Sequence, residues 1–295
     1  MNKPITIPVH DVCFPNRDTI STIYTCPHIK WQHYDTIDHN VCVMFFTNYM
    51  IHEVYKYSNT NVLKIALLLE PTSVCLGIYE AYDCLDQFDY IYTYDDRLLN
   101  HRRLGHKCIA YTHGDSWLPE SVWTASHPKS KLCSMLASEK NGTIGHKIRH
   151  RVYNDQKDNK NIDFYGNICN RHIDDKTIAL GDYYFSIIIE NCCQDDYFSE
   201  KLLDCIATKT IPIYFGTRRL YKYFNDDGII SFNSIKELYD ILSYIHPDNI
   251  NNIVNHYNQL LPAIEENWVL AHKYRSIDCS IWDTLQELLS KVQRS

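Results

Sequence analysis

The stretch that most constrains this chain is Asp182–Gly216, DYYFSIIIENCCQDDYFSEKLLDCIATKTIPIYFG. Tyr184 to Ile189 is an aromatic and β-branched run, the composition of a buried strand. Glu190 and Asn191 sit at its carboxyl end, followed by a polar loop carrying Asp195 and Asp196. An amphipathic helix opens near Ser199, with Leu202, Leu203, Ile206 and Ala207 as its apolar stripe. Ile211–Phe215 is the next strand, closed by Gly216. This is one βαβ unit, and such units bind ligands at the carboxyl ends of their strands.

Charge placement within the unit is unusual. Lys201 falls in the first helical turn, where the macrodipole is already positive and disfavours a cation. Either an anion binds there or the lysine is simply exposed on a short helix. A second basic run, Gly145-His146-Lys147-Ile148-Arg149-His150-Arg151, opens a helix after the turn Asn141-Gly142. Two cationic helix starts in one half of the chain point to a diphosphate held between them; the bland alternative is a solvated basic face.

Composition narrows the partners. With 295 residues and 45% hydrophobic content the chain is globular, large enough for two ordinary domains. A net charge of −7 argues against general nucleic-acid or anionic-membrane binding, so a phosphate site must be a local basic cluster. Only 9 glycines are present, with no GxGxxG or Walker loop, so phosphates are not held by a glycine-rich cradle. The 12 cysteines include no C-x-x-C pair; Cys75, Cys133 and Cys205 lie in apolar surroundings and read as reduced, buried small residues. No apolar run reaches the ~18 residues of a membrane span, and the N-terminus lacks a signal-peptide core. The expectation is a soluble, cytoplasmic protein.

Strand-like and helix-like runs alternate along the chain. The strands are Ile5–Val9, Val41–Phe46, Lys64–Leu69, Tyr90–Tyr94 and Lys107–Tyr111, then Lys131–Ala137, Ile162–Tyr165, Phe185–Ile189, Ile211–Phe215 and Ile229–Phe232. Helical patterns between them include Ile144–Tyr153 and Ser234–Ile245. Such alternation predicts α/β architecture with parallel sheets covered on both faces, here as two doubly wound domains. The aperiodic, Ser-, Pro- and His-containing stretch Trp117–Ser130 is the expected hinge. Domains are expected at 1–125 and 126–262, with C-terminal helices at 263–295 whose Trp268 and Trp282 are available to pack across an interdomain surface.

Glu70 follows the strand Lys64–Leu69 and precedes Pro71. A carboxylate there would face a cleft between the two domains and suits a general base, provided partial burial raises its pKa. It is equally placed to serve as a helix-cap partner or in a salt bridge. Other chemistries fail on spacing. No H-E-x-x-H, G-x-S-x-G or D-x-D is present, and the i,i+4 pair His146/His150 sits among cations that would repel a metal.

The central stretch closely resembles the donor-binding signature of glycosyltransferase family ten, the α-1,3/1,4-fucosyltransferases. That signature runs roughly F-x-x-x-x-E-N, D-Y-x-[ST]-E-K, a helix, then I-P-[IV]-Y-x-G. Further similarities lie in ASEKNGTIGHKIRHRVY, with Arg149 in the place of a phosphate-binding arginine, in LKIALLLEPTSV, with Glu70 in the place of the proposed base, and in FDYIYTYDD. The resemblance implies a GT-B fold of two Rossmann-like domains facing across a cleft. It implies inverting transfer of L-fucose from GDP-fucose to a hydroxyl of a glycan acceptor, with no metal. Carried over, Lys201 and Arg149 would hold the diphosphate, Glu200 the ribose, and Asn191 and Tyr197 the phosphates or sugar, with Lys147 and Glu190 completing the donor set. The N-terminal domain would take the acceptor and the C-terminal domain the donor. Absence of an anchor and stem makes the chain similar to soluble bacterial or viral members. The remaining alternatives are another GDP- or UDP-sugar donor, or an inactive nucleotide-sugar-binding module.

Overall fold

In the computed structural model, which describes residues 3–12, 19–33 and 42–292, the strands form two sheets, every pairing parallel. The chain divides into two compact units, Met1–Asp115 with Asp195–Tyr197 and Ser276–Ser295, and Ser116–Gln194 with Phe198–Arg275.

The first unit carries β1 (Ile5–His10), β2 (Ile29–His33), β3 (Val43–Thr47), β4 (Leu63–Leu67), β5 (Tyr90–Thr93) and β6 (Cys108–Ala110), in the order β2-β1-β3-β4-β5-β6. All five residues of β3 are buried, as a central parallel strand requires. Ile277, Ile281, Leu285 and Leu288 make one stripe of the Ile277–Val292 helix and join this unit's core with Trp31, Phe45 and Tyr92. Asp278 fixes that helix. Its buried carboxylate accepts from Thr19 Oγ1 (2.6 Å), Ile20 N (3.1 Å), Ser21 N (3.2 Å) and Trp31 Nε1 (2.9 Å). Burial pushes its pKa up against the pull of these donors.

The second unit carries β7 (Lys131–Leu136), β8 (Ile162–Tyr165), β9 (Tyr183–Ile189), β10 (Ile211–Phe215) and β11 (Ile230–Ser231), in the order β11-β10-β9-β7-β8. All seven residues of β9 are buried. In both sheets the winding reverses between the first and third strands in chain order, β1/β3 and β7/β9. The carboxyl ends of those strands are where an open parallel sheet leaves a crevice for ligand.

The structure departs from the sequence reading at specific places. β2 went unread because an edge strand of five residues shows only Ile29 and Trp31 buried on one face. The C-terminal helices expected at 263–295 begin inside a helix that runs Ile250–Ala271; its Ile253, Tyr257 and Ile264 pack into the second unit's core. The expected hinge is built into the second unit: Ser116 Oγ and Trp117 N donate to Asp204 Oδ1 (2.8 and 2.9 Å), and Trp123 is buried. Each tail tryptophan packs inside its own unit, Trp268 donating to Trp123 O (3.1 Å) and Trp282 stacking on His28 (5.1 Å). The strand start expected at Val41 and the last residues of the expected C-terminal helices, 293–295, lie outside the described residues. Cys75, Cys133 and Cys205 are buried as read.

Lys129 ties the amino ends of three strands together. Its ammonium donates to Gly181 O (2.8 Å), Thr208 O (2.8 Å) and Thr210 Oγ1 (2.9 Å). Burial lowers its pKa from 10.5 to about 7. Between these values the unfolded chain binds the extra proton, so this lysine makes stability rise with pH through that window. Denaturant unfolding of Lys129→Met at about pH 6 and about pH 9 is expected to lack that rise relative to the parent protein. An equal pH response in both proteins would refute the assignment.

Candidate functional site

The second unit's site is built on the end of β9. Glu190, the residue after the strand, is fully enclosed. Its Oε1 accepts from Ser199 N (2.9 Å) and its Oε2 from Ser199 Oγ (2.6 Å). Ser199 in turn caps the Glu200–Ala207 helix, its Oγ accepting from Lys201 N. The side-chain ammonium of Lys201 reaches Ser199 Oγ (3.1 Å) and Glu200 Oε1 (2.9 Å), and lies 3.8 Å from Glu190 Oε2. A cation at this helix start is therefore balanced by two of the chain's own carboxylates, Glu190 and Glu200.

Electrostatics follow from the enclosure. Burial raises the Glu190 pKa, and Lys201 opposes it. For Glu200 burial is outweighed by Lys201 and Lys176, which bring it down to about 2. For Lys201 burial is outweighed by Glu200 and Glu190, so its charge is reinforced while Arg149 works against it. The Lys201 side chain keeps 27% exposure, enough to meet a ligand.

Arg149 comes to the same strand end from the Ile144–Gln156 helix. Its guanidinium donates to Ile189 O through Nε (2.9 Å) and Nη2 (2.5 Å), and to Asn191 Oδ1 (3.0 Å). Gly145 N donates to Asn191 O (3.0 Å), seating the helix start on the strand end. A Cβ on Gly145 would stand 1.7 Å from Glu190 O, so only glycine permits this approach. Gly216 closes the other flank, where a Cβ would stand 2.8 Å from Glu190 Cγ and 2.1 Å from Tyr214 Oη.

Of the residues expected from sequence, Arg149, Glu190, Asn191, Glu200 and Lys201 gather at the end of β9. Lys147 does not: it is exposed on the helix, and no contact among the described residues draws it to the cluster. Its neighbour His146 is there instead, forming a reciprocal capping box with Thr143, with its pKa lowered to about 4 by burial first and by Arg149, Lys140 and Lys201 after it. Sequence reasoning passed over His146 as half of a metal pair, although Thr-x-x-His at a helix start was visible. Asp204 was also missed. This buried carboxylate accepts from Lys176 Nζ (2.6 Å), which lies over the Trp117 ring (4.1 Å). Among the described residues no cluster of His, Cys, Asp or Glu could hold a metal ion.

Tyr197 and Glu70 fall in the first unit. The Tyr197 ring packs on Tyr94 with centroids 5.5 Å apart, and Thr112 Oγ1 donates to Asp196 O (3.0 Å). Glu70 is half-buried, past the end of β4 and just before the Thr72–Tyr79 helix. Asn48 Oδ1 accepts from Leu69 N (2.9 Å) and Glu70 N (3.1 Å), while Tyr79 Oη donates to Glu70 O (2.7 Å).

Two doubly wound sheets, with cations gathered at a switch-point strand end, have the form of a glycosyltransferase fold related to fucosyltransferases. Residues 126–279 match the family described as glycosyltransferase family 10 (fucosyltransferase) C-term, and the chain belongs to that family. An alpha-(1,3)-fucosyltransferase, FucT, of Helicobacter pylori is 27% identical over 145 residues, 47% of this chain and 28% of that protein. A putative fucosyltransferase-like protein of Arabidopsis thaliana is 27% identical over 129 residues, 43% of this chain and 25% of that one. The matched stretch thus spans only about a quarter of either relative. The fold is similar to crystal structures of an alpha1,3-fucosyltransferase with GDP (TM-score 0.58, 16% identity) and with GDP-fucose (TM-score 0.56, 16% identity). Each likeness covers 90% of this chain and 82% of the other. No helix among the described residues is long and apolar enough to cross a membrane.

Gly145→Ala is expected to force the helix start off β9 and destabilise the protein by about 1–3 kcal/mol in denaturant unfolding. Parent-like stability would mean that this close approach is not made.

Proposed function

We propose that this chain is an inverting glycosyltransferase that moves L-fucose from GDP-fucose to a hydroxyl of a glycan acceptor. The observation that carries the proposal is the meeting of Arg149, from the second turn of one helix, and Lys201, from the first turn of another, at the end of β9 in a member of this family. Fixed cations at such a point stabilise the negative charge that develops on a departing diphosphate. In this reading the second unit binds the donor. Lys201 and Arg149 serve the diphosphate, Glu200 the ribose hydroxyls, and Asn191 a remaining donor contact. Glu190, being enclosed, acts through Ser199 and Lys201.

The first unit takes the acceptor, and Glu70 is the general base. It removes the acceptor hydroxyl proton as that oxygen bonds to the anomeric carbon. The bond from that carbon to the phosphate oxygen breaks, and GDP leaves with the electron pair. Attack from the face opposite the leaving group inverts the anomeric centre. Charge on the diphosphate is met by the two side chains, so the proposed reaction requires no metal.

Glu70→Gln is expected to lower turnover about 10²–10⁴-fold while GDP affinity stays at the parent value. Unchanged turnover would remove Glu70 from the base role. Lys201→Ala and Arg149→Ala are each expected to weaken GDP binding by about 1.5–3 kcal/mol by calorimetry, the scale of charged hydrogen bonds. Circular dichroism should accompany both, since each side chain also braces β9. A panel of nucleotide sugars tests the donor: hydrolysis of UDP-sugars alone would sink the fucose assignment.

A further inference from the structure

The helical layer of the first unit holds a cavity of about 580 Å³ that the chemistry described so far does not use. It opens between the Asn48–Tyr57 helical segment, the Tyr82–Leu85 helix and the loop that carries His101 and Arg103. Glu80, the residue that ends the Thr72–Tyr79 helix, lies on its wall. Glu70 precedes the other end of that helix, whose length is about 12 Å. The cavity is therefore separate from the candidate base, and its volume falls in the range that takes a small ligand.

Its lining brings flat rings and paired charges together. The Tyr82 and His101 rings stack with centroids 4.6 Å apart and planes 17° from parallel. His101 Nδ1 accepts from Leu104 N (3.3 Å), so the neutral ring carries its proton on Nε2, where it is a donor. Tyr55 adds a phenol ring that is 50% exposed. Next to Tyr82 in the chain, Asp83 Oδ1 accepts from Arg103 Nη2 (2.8 Å). The two side chains keep 92% and 49% of their exposure, so the pair adds little to stability. Its further lone pairs and N–H groups stay open to whatever fills the cavity.

The same lining excludes most ligand classes. Glu80 and Asp83 outnumber Arg103, so a phosphate or sulfate group would meet more negative charge than positive. Among the described residues of the wall only Ala81 is aliphatic, too little for a lipid tail. No cluster among the described residues could hold a metal ion. What fits is a neutral ring with one apolar face and a rim of hydroxyls. Aromatic rings take the C–H face, and an Arg–Asp pair offers donors beside acceptors to neighbouring hydroxyls.

We propose that this cavity is a second, non-catalytic carbohydrate site, which holds a pyranose unit of the glycan chain that carries the acceptor hydroxyl. The inference rests on the reading of the protein as a glycan-modifying transferase. Holding one unit of a chain raises the effective concentration of its other units near the protein, so the site serves long acceptors and does nothing for a single sugar.

Tyr55→Ala and Arg103→Ala test it; both side chains are exposed, so neither change should disturb folding. Binding is read first, without donor, by calorimetric titration of neutral chains of β-linked galactose, glucose or N-acetylglucosamine against the corresponding single-unit glycosides. One of the chains is expected to bind, and each variant should weaken it about tenfold. In transfer from GDP-fucose the variants should raise the KM for that chain about tenfold, with kcat, GDP affinity and the KM for the single-unit glycoside at parent values. Chain binding that neither variant weakens, or no binding by any chain, would overturn the site. So would spermine binding that the variants abolish in place of sugar binding, because it would assign the cavity to a cation. Chain binding that the variants weaken, in a protein that transfers from no nucleotide sugar, would keep the site and sink the transferase reading.

Discussion

The second unit depends on one enclosed carboxylate. Glu190 has no exposure, yet four features at the end of β9 close on it: the Ser199 amide, the Ser199 hydroxyl, the Lys201 ammonium and the packing of Gly145 and Gly216. Burial alone would drive a carboxyl toward its neutral form. Here two hydrogen bonds and a cation oppose that drive, and the same contacts set where the Glu200–Ala207 helix begins. The direction of cause runs from the strand outward. β9 ends where its apolar run ends, Glu190 captures the cap residue of the next helix, and that capture delivers Lys201 to the strand end. Arg149 repeats the logic from the other side, committing two donors to the last carbonyl of β9. Side chains this committed to the scaffold are pre-organised, which is what electrostatic stabilisation of a leaving group needs.

Two of the chain's glycines answer to the same crowding: a Cβ on Gly145 or Gly216 would collide with the backbone or side chain at Glu190. Rigidity elsewhere comes from aromatic packing, as in the edge-to-face contacts of Phe45 with Trp31 and Tyr92.

Much of this was legible in the sequence because it was written in long apolar runs. β9, β10 and the helix from Glu200 stood out, since a strand buried on both faces has no polar alternation and an amphipathic helix has a clear stripe. The edge strand β2 did not, because half of a five-residue alternation is too little signal. Of the site, the charged residues were legible as types but not as partners. Lys201 read either as a cation that meets an anion or as an exposed lysine, because Glu190 and Glu200 are recognisable as its counter-charges only when the helix start folds back on β9. Lys147 read as well as Arg149, since spacing alone does not say which helical face meets the strand; burial selects His146 and Arg149 and leaves Lys147 outside. Asn48 gave no signal at all. Its hold on the Glu70 backbone comes from two amides on a different strand connection.

The two sheets apply one topological rule to different ends. In each, winding reverses between the first and third strands, and side-chain hydrogen bonds hold residues just past β9 in one sheet and just past β3 and β4 in the other. At β9 the tightly held groups are cations and the carboxylates that fix them. Past β3 and β4 it is the backbone around a single carboxylate that is held, by the neutral groups of Asn48, Tyr79 and Tyr94. The difference is chemically sensible. Holding a cation beside carboxylates keeps it charged and stationary, which suits the diphosphate role proposed for Lys201 in a protein of net charge −7. In the proposed reaction Glu70 changes its protonation state, and the neutral hydrogen bonds to its backbone fix where that change takes place.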